Sequence, residues 1–445
     1  MREKEFLPLV KSKLGIEELN EMQRKMMESA SEARDIILLS PTGSGKTLAF
    51  ILPMLKILRP STGRIQAVII APSRELVIQI AGIIRNVAAG FKTTILYGGH
   101  KTEDEVNSLD AGTDIVVATP GRLLDHINRR NVDVLPTRVL VLDEFDKSLE
   151  LGFESEMKKI ISRLKNVSRI FLTSATDADV LPDFLKLNDP LTLNFLSTGK
   201  DLRRRLRIRR VDSDMKDKLE ALAMLLENIA AEKGEHERSI IFFNHRESTE
   251  RAYEFLRKKG LPAVLFHGAL DQQSRETAVT QFNNGSRPIM IATDLAARGL
   301  DIEGVKHIVH YHQPLTAESY THRNGRTARI ENEGDVYVLV GPEEDIKPYI
   351  EFDTNYYLDP DKKFEGGSVF ETLYFNAGKK EKLSKGDIVG FLVKEGGIEG
   401  NDIGKIHVFD HYALAAVKRE IAKGLLNAIK GKKIKGEKRL VSLIS

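Results

Sequence analysis

Cysteine is absent from the sequence, which rules out disulfides, thiolate zinc sites, iron–sulfur clusters and a cysteine nucleophile. Long apolar runs are missing as well: nothing approaches the roughly 20 apolar residues that a bilayer-spanning helix needs. The opening Met1-Arg2-Glu3-Lys4-Glu5-Phe6 mixes charge signs and leads into no apolar signal core. An excess of one charge is lacking too. Lys+Arg number 67 against 64 Asp+Glu, a formal net charge of +3, and this balance argues against a uniformly basic nucleic-acid binder. What is present is a length of 445 residues and 41% apolar residues, enough for full-sized cores. At roughly 150 residues per domain the length predicts two or three domains. The expectation is a soluble, cytoplasmic, multidomain protein.

Short β-branched runs alternate with helical patterns over Ile36–Leu39, Val68–Ala71, Ile115–Ala118 and Val139–Leu142. After residue 200 the rhythm restarts with Ser239–Phe243, Ile289–Ala292 and Ile308–Tyr311. Continuous apolar strands between helices indicate parallel sheets covered on both faces. Two such series predict an α/β chain with domains over residues 1–200 and 201–360. Between them, Ser197 to Arg210 is polar and then dense in arginine. It reads as a hinge followed by a solvated strand edge, with an RNA-facing surface as the alternative. His307, His310 and His312 look like a metal cluster, but no third-ligand pattern joins the pair on one strand face. Buried, partnered histidines are the expectation.

A break near Glu365–Ser368 opens a third domain over residues 370–445. Its pattern predicts a strand over Leu373–Asn376, a helix over Ser384–Lys394, and strands over Gly404–Phe409 and Tyr412–Val417. A helix to about Ile429 and a strand over Lys438–Leu443 follow. That β-α-β-β-α-β order is a small α+β ferredoxin-like unit, the plan shared by RRM domains. From Thr372 to Ser445 there are 15 Lys+Arg against 8 Asp+Glu, a net of +7, which leaves −4 for everything before it. Such an excess on a small domain is the electrostatic footprint of a nucleic-acid binder. The basic stretch Lys430–Arg439 reads as an RNA-facing loop. No aromatic RNP1 pattern marks the third strand, so loops and basic tail are favoured over base stacking on the sheet.

The sharpest signal is Ser40-Pro41-Thr42-Gly43-Ser44-Gly45-Lys46-Thr47, directly after an apolar strand and before a helical stretch. Gly43 and Gly45 let the backbone curl so that amide N–H groups face phosphate oxygens, and the helix N-terminus adds positive dipole. Lys46 can reach the β and γ phosphates, and the Thr47 hydroxyl can ligate Mg²⁺. Val139-Leu140-Val141-Leu142 then ends in Asp143, placed to hold the metal through water. Glu144 follows, placed to orient and deprotonate an attacking water. An isolated phosphate loop still lacks cations for the charge that develops on the γ phosphate. Arg326 and Arg329, at i and i+3 on one helical face, can supply them from the second domain. Hydrolysis then requires the two domains to close.

From Phe6 to about Arg329 these motifs resemble, in order, those of the DEAD-box RNA helicases of helicase superfamily 2. The resemblance implies two tandem RecA-like domains, RNA-stimulated ATP hydrolysis with Mg²⁺, and local unwinding of short RNA duplexes. It implies that Gln23 pairs with the adenine edge while Phe6 stacks on its face. Thr42, Gly43, Ser44, Gly45, Lys46, Thr47 and Asp301 complete the ATP contacts. Ser174-Ala175-Thr176 is similar to the motif that couples hydrolysis to unwinding. Arg74, Thr119, Arg122, Arg275, Thr293 and Gly299 become the RNA contacts, addressed mostly to sugar and phosphate and therefore blind to sequence. Leu373-Tyr374-Phe375-Asn376 and Lys405–Asp410 resemble the RNA-binding domain of the DbpA subfamily, which implies a tether to structured ribosomal RNA. A monomer with no membrane partner is expected.

The chain departs from the family pattern at several places. Phe145 stands for the alanine of the name motif, at an alternating strand end where it points away from the metal. Ser40 replaces an alanine, Asn324 and Ala328 replace isoleucine and glycine between the finger arginines, and His312 replaces an aspartate. Two rival readings stay open here: an ATP-dependent RNA clamp that separates no strands, and a DNA translocase of the same superfamily.

Overall fold

The computed structural model describes residues 3–29, 31, 35–41, 43–99, 102–175, 181–196, 203–297, 302, 304–327 and 333–444, without the side chains of residues 3–6. One compact unit ends at Arg204 and a second begins at Arg205.

The first unit is built on β1 (Ile36–Leu39), β2 (Ala67–Ile70), β3 (Thr93–Leu96), β4 (Ile115–Ala118), β5 (Val139–Leu142), β6 (Arg169–Ser174) and β7 (Leu191–Asn194). They lie in the order β3-β4-β2-β5-β6-β1-β7, and every pairing is parallel. Because successive strand residues point to opposite faces, each apolar run supplies two cores. Ile69, Val117, Val141 and Phe171 face one, and Val68, Val116, Leu140 and Leu172 the other. The connections from β1, β5 and β6 all leave the carboxyl edge of the sheet, where open α/β sheets bind ligands. Leu39 lies opposite Ser174 and Leu142 opposite Leu172, so the three loops start side by side.

The second unit repeats the plan with β8 (Leu206–Asp212), β9 (Ser239–Phe242), β10 (Ala263–Phe266), β11 (Ile289–Ala292), β12 (His307–His310), β13 (Gly334–Val340) and β14 (Thr354–Asn355). The order is β10-β11-β9-β12-β13-β8-β14, again all parallel. The arginine-dense run forms β8, which is not the outermost strand, because short β14 pairs along it. Its charges are matched locally. Arg207 and Arg209 reach Asp335 at 3.0 and 3.3 Å, and Arg209 also lies over the rings of Tyr337 and Tyr356. The three histidines are partnered as expected. His307 Nε2 meets Glu237 at 2.9 Å, His310 Nε2 meets Asn324 Oδ1 at 2.9 Å, and His312 Nδ1 accepts from the Asn244 amide. Burial, followed by the Arg323 charge, pushes His310 down to about 3, so it is neutral in the fold.

The same unit carries β15 (Phe370–Phe375), β16 (Ile403–Val408), β17 (Ala413–Lys418), β18 (Lys433–Ile434), β19 (Glu437–Lys438) and β20 (Val441–Leu443). The antiparallel order β16-β17-β15-β20 is that of the expected ferredoxin-like unit. Helices Lys385–Gly396 and Arg419–Ile429 close one face, packing Ile388 and Leu425 into one core with Leu373, Phe375 and Ala415 of the strands. The first of them starts at a reciprocal cap between Ser384 and Asp387. The expected strand over Lys438–Leu443 is divided in two. A hairpin, β18–β19, turns at Lys435 and Gly436, whose φ values of 51° and 81° are those a two-residue hairpin turn requires, and β20 follows it. Among the described residues, no helix is long and apolar enough to cross a membrane.

Candidate nucleotide site and nucleic-acid interface

The phosphate loop runs from β1 into the helix Lys46–Ile57, whose first N–H groups lack intrahelical partners and carry the positive end of the dipole. Gly43 and Gly45 both have left-handed φ, 80° and 90°. The φ of Gly45 demands glycine, and a Cβ there would lie 2.7 Å from the Gln23 amide nitrogen and displace that amide. The Lys46 ammonium, buried, donates to the Ser40 carbonyl at 2.6 Å and is thereby held inside the loop. Ser40, the departure from alanine, donates its hydroxyl to Ser44 at 2.7 Å and ties the loop across its base.

Gln23 sits against this loop. Its amide nitrogen donates to the Gly45 carbonyl at 3.3 Å, and its oxygen accepts from the Asn20 N–H at 3.0 Å. Asn20 returns the contact, accepting from the Gln23 N–H and donating to the Ser44 carbonyl at 2.9 Å. Each of these contacts uses half of the Gln23 amide's capacity, which leaves one N–H and one lone pair for a purine edge. Asn20 was not legible as part of the site, although an Asn three residues before a Gln at a helix start is a capping signature.

Asp143 and Glu144 follow β5. Asp143 is 3% exposed and accepts from the Thr173 hydroxyl at 2.5 Å, while the same hydroxyl accepts from the Glu144 N–H at 3.1 Å. Thr173 lies on β6 next to Ser174, so one buried hydroxyl joins the acidic pair to the strand of the Ser-Ala-Thr motif. Burial, and next the charge of Glu144, push the Asp143 carboxyl up to about 7, against the Thr173 hydrogen bond and the charge of Lys46. Two adjacent carboxyls form an oxygen donor set of the kind that suits a hard divalent cation. Glu144 itself has left-handed backbone, φ 45° and ψ 54°, the kind of strain that persists where surrounding structure enforces it. Phe145 is not at an alternating strand end. It is the first residue of the helix Phe145–Glu150 and is buried in the core, so it faces away from the carboxylates for a different reason.

The first-unit RNA candidates cluster on neighbouring loops. Arg74 opens the helix Arg74–Val87, and its guanidinium lies over Gly98 and Gly99. A Cβ on Gly99, at φ +107°, would come within 2.6 Å of it. Thr119 is half-buried at the cap of the helix Pro120–Asn128. Arg122 donates to Glu105 at 2.6 Å and to Thr102 at 2.9 Å. Glu105 also meets His126 at 2.7 Å and accepts from the Tyr97 N–H, so a buried carboxylate fixes this arginine from behind.

In the second unit Arg275 is buried on the helix Gln272–Asn283 and donates to Gln272 Oε1 at 3.0 Å. Thr293 follows β11 and is half-buried. Arg326 is 3% exposed but is not on a helical face. The helix Ala317–Asn324 ends at Gly325, and Arg326 lies in the turn beyond it, so the i, i+3 argument does not describe this segment. Its neighbour Arg323, passed over in sequence, is fully buried. It reaches Asp294 at 2.5 Å, Asn244 Oδ1 at 2.7 Å and the His312 carbonyl at 2.9 Å, and lies over the Phe242 ring. Asn324 accepts from His310 and so braces the segment before Arg326. Thr42, Thr176, Gly299, Asp301, Ala328 and Arg329, and the Phe6 side chain, lie outside the described residues.

Residues 20–183 match the family model of DEAD/DEAH box helicases, 217–331 that of the helicase conserved C-terminal domain, and 372–443 that of the DbpA RNA binding domain. The chain is 31% identical over 447 residues to the ATP-dependent RNA helicase DbpA of Escherichia coli (strain K12), spanning 97% of this chain and 96% of that one. With DbpA of Bacillus subtilis (strain 168) the identity is 30% over 467 residues, spanning 96% and 95%. Among solved structures, the DEAD-box helicase Mss116 bound to ssRNA and UDP-BeF is similar at a TM-score of 0.71 and 25% identity, over 81% of this chain and 79% of that one.

Proposed function

The chain belongs to the DbpA group of DEAD-box ATP-dependent RNA helicases, and from that premise we propose how its own residues carry RNA-stimulated ATP hydrolysis and turn it into strand separation. The observation that carries the reading is the acidic pair Asp143–Glu144, held through Thr173 to the Ser174 strand beside the phosphate loop. Gln23 and Phe6 take the adenine edge and face. The loop amides of Gly43 to Thr47 and the Lys46 ammonium take the phosphates, Lys46 exchanging the Ser40 carbonyl for a phosphate oxygen. Thr47 and Asp143 would hold Mg²⁺, which supplies charge neutralisation across the β and γ phosphates. Glu144 orients the attacking water and accepts its proton.

Arg326 and Arg329 approach the γ phosphate when the two RecA-like domains close, and fingers of this kind are worth about 10³–10⁵ in turnover. RNA binds along Arg74, Thr119, Arg122, Arg275, Thr293 and Gly299, contacts to sugar and phosphate that span both domains. RNA therefore favours closure, and by linkage ATP favours RNA binding. Closure clamps and bends one strand, which separates a short duplex without tracking along it. Ser174 and Thr176 couple hydrolysis to strand separation. The C-terminal domain, at +7, holds the protein to structured RNA, for which an element of ribosomal RNA is the proposed target.

Glu144→Gln tests the assignment. It is expected to abolish turnover while ATP-dependent RNA binding is kept or tightened, and unchanged turnover would sink the role of Glu144. Strand displacement with stoichiometric protein separates an unwinding enzyme from a passive clamp. ATPase stimulation by duplex DNA equal to that by RNA would refute the substrate. Crosslinking in cells and sequencing the attached RNA tests the ribosomal target.

A further inference from the structure

The strands of the C-terminal sheet turn Leu373, Phe375, Ala413, Ala415 and Val417 to the core under their own two helices. Alternate residues face the other way, yet Thr372, Leu414 and Ala416 are also fully buried, each at 0% exposure. There the helix Gln272–Asn283 of the second RecA-like domain packs against β17. Over β17, the sheet face that an RRM-like domain would offer to bases is therefore covered by the helix that carries Arg275.

Polar contacts fasten this helix at both ends. Beyond its C-terminus, Asn284 donates to Thr372 Oγ1 at 2.9 Å, Ser286 shares a hydrogen bond with the same hydroxyl at 2.6 Å, and Arg287 pairs with Glu371 at 3.1 Å. In its first turns, the Tyr412 hydroxyl donates to Glu276 Oε2 at 2.8 Å. Glu276 Oε1 accepts from Gln272 Nε2 at 3.0 Å, and Gln272 Oε1 accepts from Arg275 at 3.0 Å. Three hydrogen bonds in series thus lead from a phenol of the C-terminal domain to the Arg275 guanidinium. Glu276 accepts only, so it decides which end of the Gln272 amide is left for Arg275; without it the amide is free to flip. Tyr412 is itself held in place, stacked against Phe409 at 4.5 Å and Tyr374 at 5.8 Å.

We propose that Tyr412 and Glu276 are positioning residues: through them the docked C-terminal domain sets the Gln272 amide and holds Arg275 in the geometry that grips the RNA backbone. The proposal rests on Arg275 being an RNA contact, as argued above. It makes the C-terminal domain a part of the core's grip as well as a tether.

The test is ATPase activity of the full chain titrated with single-stranded poly(A), an RNA without structure for the C-terminal domain to select. Tyr412→Phe removes only the hydroxyl and keeps the stack. It is expected to raise the half-saturating RNA concentration about 2- to 30-fold, the range in which networked residues modulate coupling, with maximal turnover unchanged. Glu276→Ala should do the same. In an Arg275→Ala background Tyr412→Phe should add nothing, because both act through one guanidinium. An unchanged half-saturation in Tyr412→Phe, or the same fold-change in the Arg275→Ala background, overturns the proposal while leaving the Arg275 contact standing. If Arg275→Ala itself leaves half-saturation unchanged, the premise fails and the proposal falls with it.

Discussion

Thr173→Val is the most revealing single change in the nucleotide site. Threonine and valine have nearly the same shape, so the fully buried site stays filled while the hydroxyl is lost. Two contacts go with it: the 2.5 Å donation to Asp143 and the 3.1 Å acceptance from the Glu144 N–H. A hydrogen bond to a charged group is worth about 1.5–3 kcal/mol, and the ionised carboxylate gains far more from it than the protonated acid. At 1.36 kcal/mol for each pH unit, the loss moves the Asp143 titration upward by about one to two pH units. That carboxyl already titrates up at about 7 because burial and Glu144 outweigh Thr173 and Lys46. Near pH 7.5 its ionised fraction should therefore fall roughly 3- to 25-fold.

The assay is RNA-stimulated ATPase against Mg²⁺ concentration at a series of pH values. The variant should need roughly 3 to 25 times more Mg²⁺ near pH 7.5, and should recover at pH one to two units higher. Thr173→Ser, which keeps the hydroxyl, should behave as the parent. If Thr173→Val left both the Mg²⁺ midpoint and the pH profile unchanged, Asp143 would not be the group that limits cation binding. The reasoning would then be wrong at its root.

Lys46→Ala should weaken nucleotide binding about 10- to 100-fold, the worth of a charge-assisted hydrogen bond, measured by titration with a fluorescent ATP analogue. Asn324→Leu keeps the number of side-chain heavy atoms but strands the buried His310 Nε2, and should lower the unfolding transition of the second unit by about 1–3 kcal/mol in calorimetry; an unmoved transition would show that His310 has another acceptor. The pH dependence of stability has two opposite parts. Asp143 binds its proton more tightly folded than unfolded, so its contribution is present below about 4 and is lost as pH rises through about 7. His310, held down to about 3 by burial and Arg323, destabilises the fold as pH falls below 6.5. Differential scanning calorimetry of the nucleotide-free protein should therefore show Asp143→Asn most stabilising near neutral pH and neutral in effect near pH 4.

Local signals account for what was legible beforehand. The strands were readable because each is a short apolar run whose flanking glycines, prolines and carboxylates stop it, and a fully buried parallel strand permits nothing else. The phosphate loop was readable because Gly43, Gly45 and Lys46 satisfy a backbone requirement visible in one dimension. Arg326 falls in the turn because the helix stops at Gly325 directly before it, a local signal that the i, i+3 spacing to Arg329 masks. Thr173 was invisible for another reason: a threonine inside a β-branched strand is ordinary, and only the pairing of β5 with β6 brings it to Asp143. Arg323, Glu105 and Tyr412 share that character. Their partners lie far away in sequence, and no spacing rule encodes them.

Charge shows the same contrast between local and distant information. A near-zero total hid a C-terminal domain at +7 behind a slightly acidic motor at −4. The structure adds where that excess can act. The RRM-like sheet face is covered over β17 by the helix Gln272–Asn283, and Tyr374 and Tyr412 are committed to a stack that steadies a hydrogen bond to Glu276. Five of the domain's exposed cations, Lys430, Lys432, Lys433, Lys435 and Lys438, gather around the hairpin β18–β19. Lys435 at its tip is tied back to the Lys382 carbonyl and to Asp387, so the hairpin presents its cations from a fixed position. A fixed basic edge of this kind attracts phosphate, and contacts to phosphate carry shape and spacing before base identity.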